Sequence, residues 1–439
     1  MPKIFDKKLF RKLLILIIVF TIGLGLGREY FTKKPVLVQT EKNTPKAFMS
    51  EIYDKIKENY WNNISDAELL DLFKLSMAKN NGDVSVAKFE NEQVLSFGNK
   101  DKFLEAINKT TAGMSEDQKN TFLASVAGSV LATLNPAGRS GLYTEKQEQQ
   151  LKNTVSNINP EKDLYKDLGL QKGASGAAVQ QAYAIQAAKL ALDKSPQGAE
   201  KLKTISYAKD TLTQKDTKQR YDQNQVEPTF FTKLAAPGIL YVQFKKFSPT
   251  SLDEFQKTFE AYKGDSTLNS LIFDLRGNIG GAIDATAYFL GFFLGKGQYA
   301  FDFYHKGEYL PFKTATDKLF SVSKYKQVVI LVDQNTQSSA EMLAAALKKY
   351  HVGVVVGVPT KGWGTVERVF PLDNQISQKV KYSIFLVHSI TLRDDNLPIE
   401  GRGIDPDISI KDPNWTGKLL LYFNNPVLDD AVEKILSSS

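Results

Sequence analysis

The chain has 439 residues, of which 42% are hydrophobic and 24% charged, an ordinary globular balance long enough for roughly three domains. It contains no cysteine, which excludes a disulfide scaffold, a thiol nucleophile and a Cys-ligated metal site. Of the net charge of +7, +4 lies in residues 1–12, and no basic stripe follows, so a nucleic-acid partner is not expected.

The basic head (Lys3, Lys7, Lys8, Arg11 and Lys12) precedes the apolar run "LLILIIVFTIGLGLG", residues 13–27. No small-x-small cleavage site follows, so residues 1–31 read as a signal anchor with a cytoplasmic N-terminus. The run is shorter than the about 20 residues of a full span, and a cleaved signal peptide stays open. Both readings put the remainder outside the cytoplasm; the first makes the protein a single-pass protein of the cytoplasmic membrane.

Residues 32–45 are polar and proline-punctuated, a linker. The segment 46–158 has helical periodicity, with Phe48, Ile52, Ile56 and Tyr60 recurring on one face and Ser65 placed to cap the next helix. Residues 160–224 form a separate helical unit. Ser175 caps a helix running to about Asp193, and Leu202, Ile205, Ala208 and Leu212 share a face of a second helix.

From 229 to 415 the texture becomes α/β. The runs 238–244, 270–275, 327–333 and 353–357 read as strands, with helices at 252–262, 282–294 and 339–350, so a partly parallel sheet is expected. Residues 416–439 read as a helical tail. Functional loops of such sheets lie beyond the C-terminal strand ends, which singles out "RGNIGG" (276–281) and "QNTQSSAE" (334–341).

No phosphate-binding loop, dinucleotide fingerprint or metal-ligand spacing is present, so no cofactor and no metal is expected. Three histidines, His305, His351 and His388, leave room for a Ser-His arrangement, with His351 as base or simply as a helix C-terminal residue. Ser338 falls between a strand and a helix, where unpaired N–H groups can hold an anion, although an N-cap serine is the plainer reading. Gly280 and Gly281 can bring a second backbone N–H near a substrate carbonyl. Arg276 either organises these loops or pairs with Asp274 or Asp407. The "IDPD" at 404–407 reads as a turn, and the aromatic run 288–294 as core.

These segments together resemble the C-terminal-processing (tail-specific) serine peptidase family over about 229–411, with "DLRGNIGG" the most specific stretch. The helical segment 46–150 is similar to that family's N-terminal region. The resemblance implies a Ser/Lys dyad on an α/β core, with Ser338 as nucleophile and the N–H groups of Gly281 and Ser339 as oxyanion donors. It also implies substrates that are unfolded or C-terminal segments of extracytoplasmic proteins, and a homodimer. The family carries its lysine in a Thr-x-Gly-Lys-Gly-x-Val-Gln segment. Laid on "TKGWGTVE", the lysine falls on Trp363 and the supporting glutamine on Glu367, while Lys361 lies two positions early. An indole N–H cannot accept a hydroxyl proton. Three readings follow: a peptidase using the displaced Lys361, a pseudopeptidase acting as a peptide-binding scaffold, or an enzyme recruiting His351 or Glu367.

The unit at 160–224 resembles a J domain standing where the family usually has a PDZ domain. The His-Pro-Asp that stimulates a chaperone ATPase falls on Ala191-Leu192-Asp193, so no such stimulation is expected.

Overall fold

The computed structural model describes residues 42–80, 97–393 and 395–437. The expected signal anchor and most of the linker lie outside these residues. Among the described residues no helix is long and apolar enough to cross a membrane.

Four helices open the described chain: α1 (Pro45–Asn59), α2 (Asp66–Asn80), α3 (Lys100–Thr111) and α4 (Glu116–Thr133). Their starts are capped from the sequence, with the Thr44 and Asn99 side chains and a Ser115/Gln118 box accepting first-turn N–H groups. Ser65 behaves as expected: its hydroxyl accepts from Glu68 N–H while the Glu68 carboxylate accepts from Ser65 N–H. After α4 come β1 (Gly141–Thr144) and α5 (Glu145–Val155).

The segment at 160–224 folds as α6 (Leu164–Asp167), α7 (Gly176–Leu190), α8 (Pro196–Thr213) and α9 (Lys215–Asn224). Its own small core holds Leu164, Tyr165, Val179, Ile205, Ala208, Leu212 and Tyr221. Leu192 and Asp193 form the turn between α7 and α8, where Leu192 is exposed and the Asp193 carboxylate accepts from Ser195 N–H. The unit is seated on the α/β part by ion pairs of Asp216 with Lys257 and of Arg220 with Asp253 and Glu254.

The α/β part supplies two sheets. The larger has six strands in the order β11 (Ile408–Ser409), β8 (Val354–Gly357), β7 (Gln327–Val332), β4 (Ser270–Asp274), β3 (Ile239–Phe244) and β2 (Phe230–Ala236), parallel except for the β2–β3 pair. Both faces are covered, which is why its strands are continuous apolar runs rather than alternating ones. On one face α10 (Ser251–Ala261), α11 (Ala285–Leu294) and α13 (Ser339–Lys349) bury Phe255, Phe259, Phe289, Phe293 and Leu343 against Leu240, Phe244, Phe273 and Ile330. On the other, α14 (Trp415–Phe423) and α15 (Pro426–Ser437) bury Leu419, Leu428, Val432 and Ile435 against Ile272, Val329, Leu331 and Val356. The segment read as a tail is therefore a layer of the fold.

The second sheet mixes parts that the sequence keeps apart. It joins β5 (Tyr299–His305), β6 (Glu308–Lys313), β9 (Thr365–Pro371) and β10 (Tyr382–Leu392) to β1 from the helical region, with the short α12 (Phe320–Ser323) lying between β6 and β7. Leu372, Ile384 and Leu386 are buried in one core with Phe48, Ile52, Phe73 and Leu131. The N-terminal helices and the α/β part thus share a hydrophobic core.

Leu428 is fully buried between the C-terminal helices and the sheet. Leu428→Ala should lower unfolding stability by about 2–5 kcal/mol through lost burial and a residual cavity, read by urea denaturation.

Candidate active site

Three loops meet at the C-terminal ends of the parallel strands. The first follows β4. Asp274 ends that strand fully buried, and Arg276 folds back on it, donating Nε to Oδ1 at 2.9 Å and Nη2 to Oδ2 at 2.7 Å. Of the two roles open to Arg276, the structure shows the pair with Asp274. Asn278, wholly buried, donates its amide to Phe244 C=O and accepts from Gly280 N–H at 2.9 Å. Its carbonyl accepts from Gln337 N–H, which ties the first loop to the second.

Gly280 and Gly281 have no room for side chains. A Cβ on Gly280, at φ +79°, would lie 2.7 Å from Ser338 Cβ. One on Gly281, at φ +138°, would lie 2.0 Å from Phe247 C=O. Phe247 bonds to Gly280 C=O and Ala282 N–H, so the peptide N–H of Gly281 is turned to the opposite edge.

The second loop follows β7 and carries Ser338 into α13. Ser338 has φ 58° and ψ −127°, a conformation costly for a residue with a side chain. It is half-buried, whereas Ser339 is fully buried and donates its hydroxyl to Gly281 C=O at 3.2 Å. Ser339 N–H sits in the first turn of α13, where helix N–H groups lack intrahelical partners.

The third loop, 360–364, is held by Glu341. This wholly buried carboxylate accepts from Thr360 Oγ1 at 2.5 Å, Gly362 N–H at 2.7 Å, and Trp363 and Ser338 N–H at 2.8 Å. Burial raises its pKa above the ordinary carboxylate value, against the pull of these four donors. The N–H groups of Ser338 and Trp363 share the same carboxylate oxygen, so the loop lies directly against the serine.

The Trp363 indole donates to Glu367 Oε1 at 3.1 Å, and Thr365 Oγ1 donates to the same oxygen at 2.5 Å. Desolvation pushes the Glu367 carboxyl above its usual range. Lys361 is exposed; its backbone N–H donates to Thr336 C=O at 2.9 Å, two residues from Ser338.

The structure therefore brings Gly281, Ser338, Ser339, Trp363 and Glu367 into one constellation, with the Lys361 backbone beside it. His351 is elsewhere, just past the C-terminal end of α13, roughly 16 Å of helix from Ser338. That separation removes it as a base. Sequence reading missed Asn278, which fixes the glycine turn, and did not foresee how much Glu341 holds. The signal for Asn278 was its place inside a glycine-rich turn; for Glu341 it was the N3 position of a helix opening at Ser338.

A strained, half-buried serine at a strand-to-helix turn, packed against backbone that carries no side chains, is an arrangement able to support acyl transfer. In comparison with known proteins, residues 238–410 match the model of peptidase family S41. The chain is similar to a probable CtpA-like serine protease of Staphylococcus epidermidis, 28% identical over 203 residues, which cover 46% of this chain and 39% of that protein. It thus spans about two-fifths of that curated relative's length. Among solved structures, a lipoprotein from Streptococcus agalactiae aligns over 90% of this chain and 99% of its own at 12% identity and a TM-score of 0.45. A photosystem II D1 C-terminal processing protease aligns over 84% of this chain and 94% of its own at 13% identity and the same TM-score.

Because its folded-state pKa is raised, Glu367 binds protons more readily folded than unfolded. Its ionisation then costs stability as pH rises from the ordinary carboxylate value of 4.5 through the raised one. Glu367→Gln removes this cost, so the variant should gain thermal stability over wild type as pH climbs, with the gap vanishing near pH 4.5. Unfolding midpoints measured across that range up to about pH 8 check it; a pH-independent gap would contradict it.

Proposed function

We propose that this chain is a serine-type endopeptidase acting on unfolded or C-terminal segments of extracytoplasmic proteins, with Ser338 as nucleophile and Lys361 as base. The observation that carries this reading is the two-sided tether of the 360–364 loop. Lys361 N–H is tied to Thr336, and Trp363 N–H shares an oxygen of Glu341 with Ser338 N–H. The flexible four-carbon stem of Lys361 starts between these tethers, so its amine can swing to the serine.

In the reaction, the Ser338 hydroxyl gives its proton to the Lys361 amine as Oγ bonds to the substrate carbonyl carbon. The carbonyl oxygen, now negative, accepts from the N–H groups of Gly281 and Ser339. Collapse breaks the C–N bond, and the ammonium returns the proton to the leaving amine. Water then releases the acyl group by the same steps. With residues 1–31 as a signal anchor, this chemistry is held at the outer face of the cytoplasmic membrane.

A second reading, a pseudopeptidase that binds chain termini without cutting them, is favoured by the Trp363 indole held by Glu367 where a base would be expected. One experiment separates the two. Cleavage of an unstructured polypeptide and labelling by a serine-directed phosphonate are measured for wild type, Ser338→Ala and Lys361→Arg. The peptidase reading expects wild type to cut and label and Ser338→Ala to do neither. Lys361→Arg keeps a cation on a long stem but puts a guanidinium, which does not accept a proton, in the place of the amine, so it should lose about 10²–10⁴ in rate. Wild type that neither cuts nor labels establishes the second reading. Full activity of Lys361→Arg removes Lys361 as the base.

A further inference from the structure

The loop that carries Lys361 and Trp363 is also gripped from outside the α/β part. Arg139, in the turn between α4 and β1, lays its guanidinium over the Trp363 ring with Cζ 3.4 Å from the centroid. The same guanidinium donates Nε and Nη2 to Glu400 Oε1 at 3.2 and 3.0 Å. The other Glu400 oxygen accepts from Gly364 N–H at 2.8 Å, and Gly401 N–H donates to Gly362 C=O at 2.9 Å. Gly364 permits this approach because a Cβ there would lie 2.2 Å from Glu400 N. Both charged side chains are largely buried, at 18% and 16% exposure, and Trp363 is closed on its other edge by Glu367.

Arg139 is itself fixed by the helical region. Tyr60 Oη and Trp61 Nε1 both donate to Asn135 C=O at 2.6 Å, and Ser140 Oγ accepts from Val387 N–H as β1 joins β10. The planar, five-donor guanidinium stacks and forks at once, which a lysine ammonium cannot do.

We propose that Arg139 and Glu400 are positioning residues for the active-site loop, clamping Trp363 against Glu367 so that Lys361 is presented beside Ser338. The N-terminal helical region then supplies part of the site through one side chain, and Trp363 serves as the handle by which the loop is held. The activity arm of the test rests on the peptidase reading; the spectroscopic arm does not.

The chain has three tryptophans, so full-length protein labelled with 5-fluorotryptophan should give three fluorine NMR signals, with that of Trp363 assigned by Trp363→Phe. In Arg139→Gln, Arg139→Lys and Glu400→Gln the Trp363 signal should shift or broaden while that of Trp415 stays in place. On the same proteins, assayed well below each variant's thermal midpoint, kcat should fall at least ~10-fold, as small misplacements of catalytic groups do, with KM held within about twofold. An unmoved Trp363 signal overturns the clamp. A moved signal with unchanged kcat overturns its positioning role. Rescue by Arg139→Lys would show that charge alone suffices and overturn the stacked fork. If wild type lacks hydrolysis altogether, the peptidase reading falls, while the fluorine signal still decides whether Arg139 holds the loop.

Discussion

The site depends on the buried carboxylate of Glu341. Its two oxygens take donors from Ser338, Thr360, Gly362 and Trp363, which belong to two loops separated by a helix and a strand. A buried carboxylate is costly unless its hydrogen-bonding capacity is filled. Each loop therefore stabilises the other through the group they share. The strained backbone of Ser338 persists because this carboxylate, the first turn of α13 and the close approach of Gly280 over-determine it.

The remaining geometry follows from the parallel sheet. Strands β3, β4 and β7 all end on one edge, so the loops after them converge there. Asn278 binds the β3 end, the glycine turn and the β7 loop with three hydrogen bonds. The third loop leads into the second sheet instead, whose strands pair with the helical region through β1. The candidate site is assembled across two sheets and stiffened by a core that the two halves of the chain hold in common.

Much of this was legible in the residues. The four strands and three helices expected in the α/β part lie within a few residues of their expected limits, because apolar runs bounded by glycine and polar turns are strong local signals. Ser175 caps its helix as read, and Phe289, Phe292 and Phe293 are core. Pairing of Arg276 with Asp274 was one of two roles open to it. His351 was open as a base or as a helix C-terminal residue, and it stands just past the C-terminal end of α13. Arg139 and Glu400 were not singled out, because residues 261 positions apart meet only after both sheets have formed.

By itself, the sequence determined the class of backbone, the serine at the strand-to-helix turn, the side-chain-free glycines and a tryptophan between two glycines at position 363. These are matters of local propensity, spacing and residue chemistry. Only the tertiary structure decided what that tryptophan does. Its indole is bound by a buried glutamate on β9 and covered by an arginine from the helical region, a pairing set by sheet register and shared burial rather than by any neighbour in the chain.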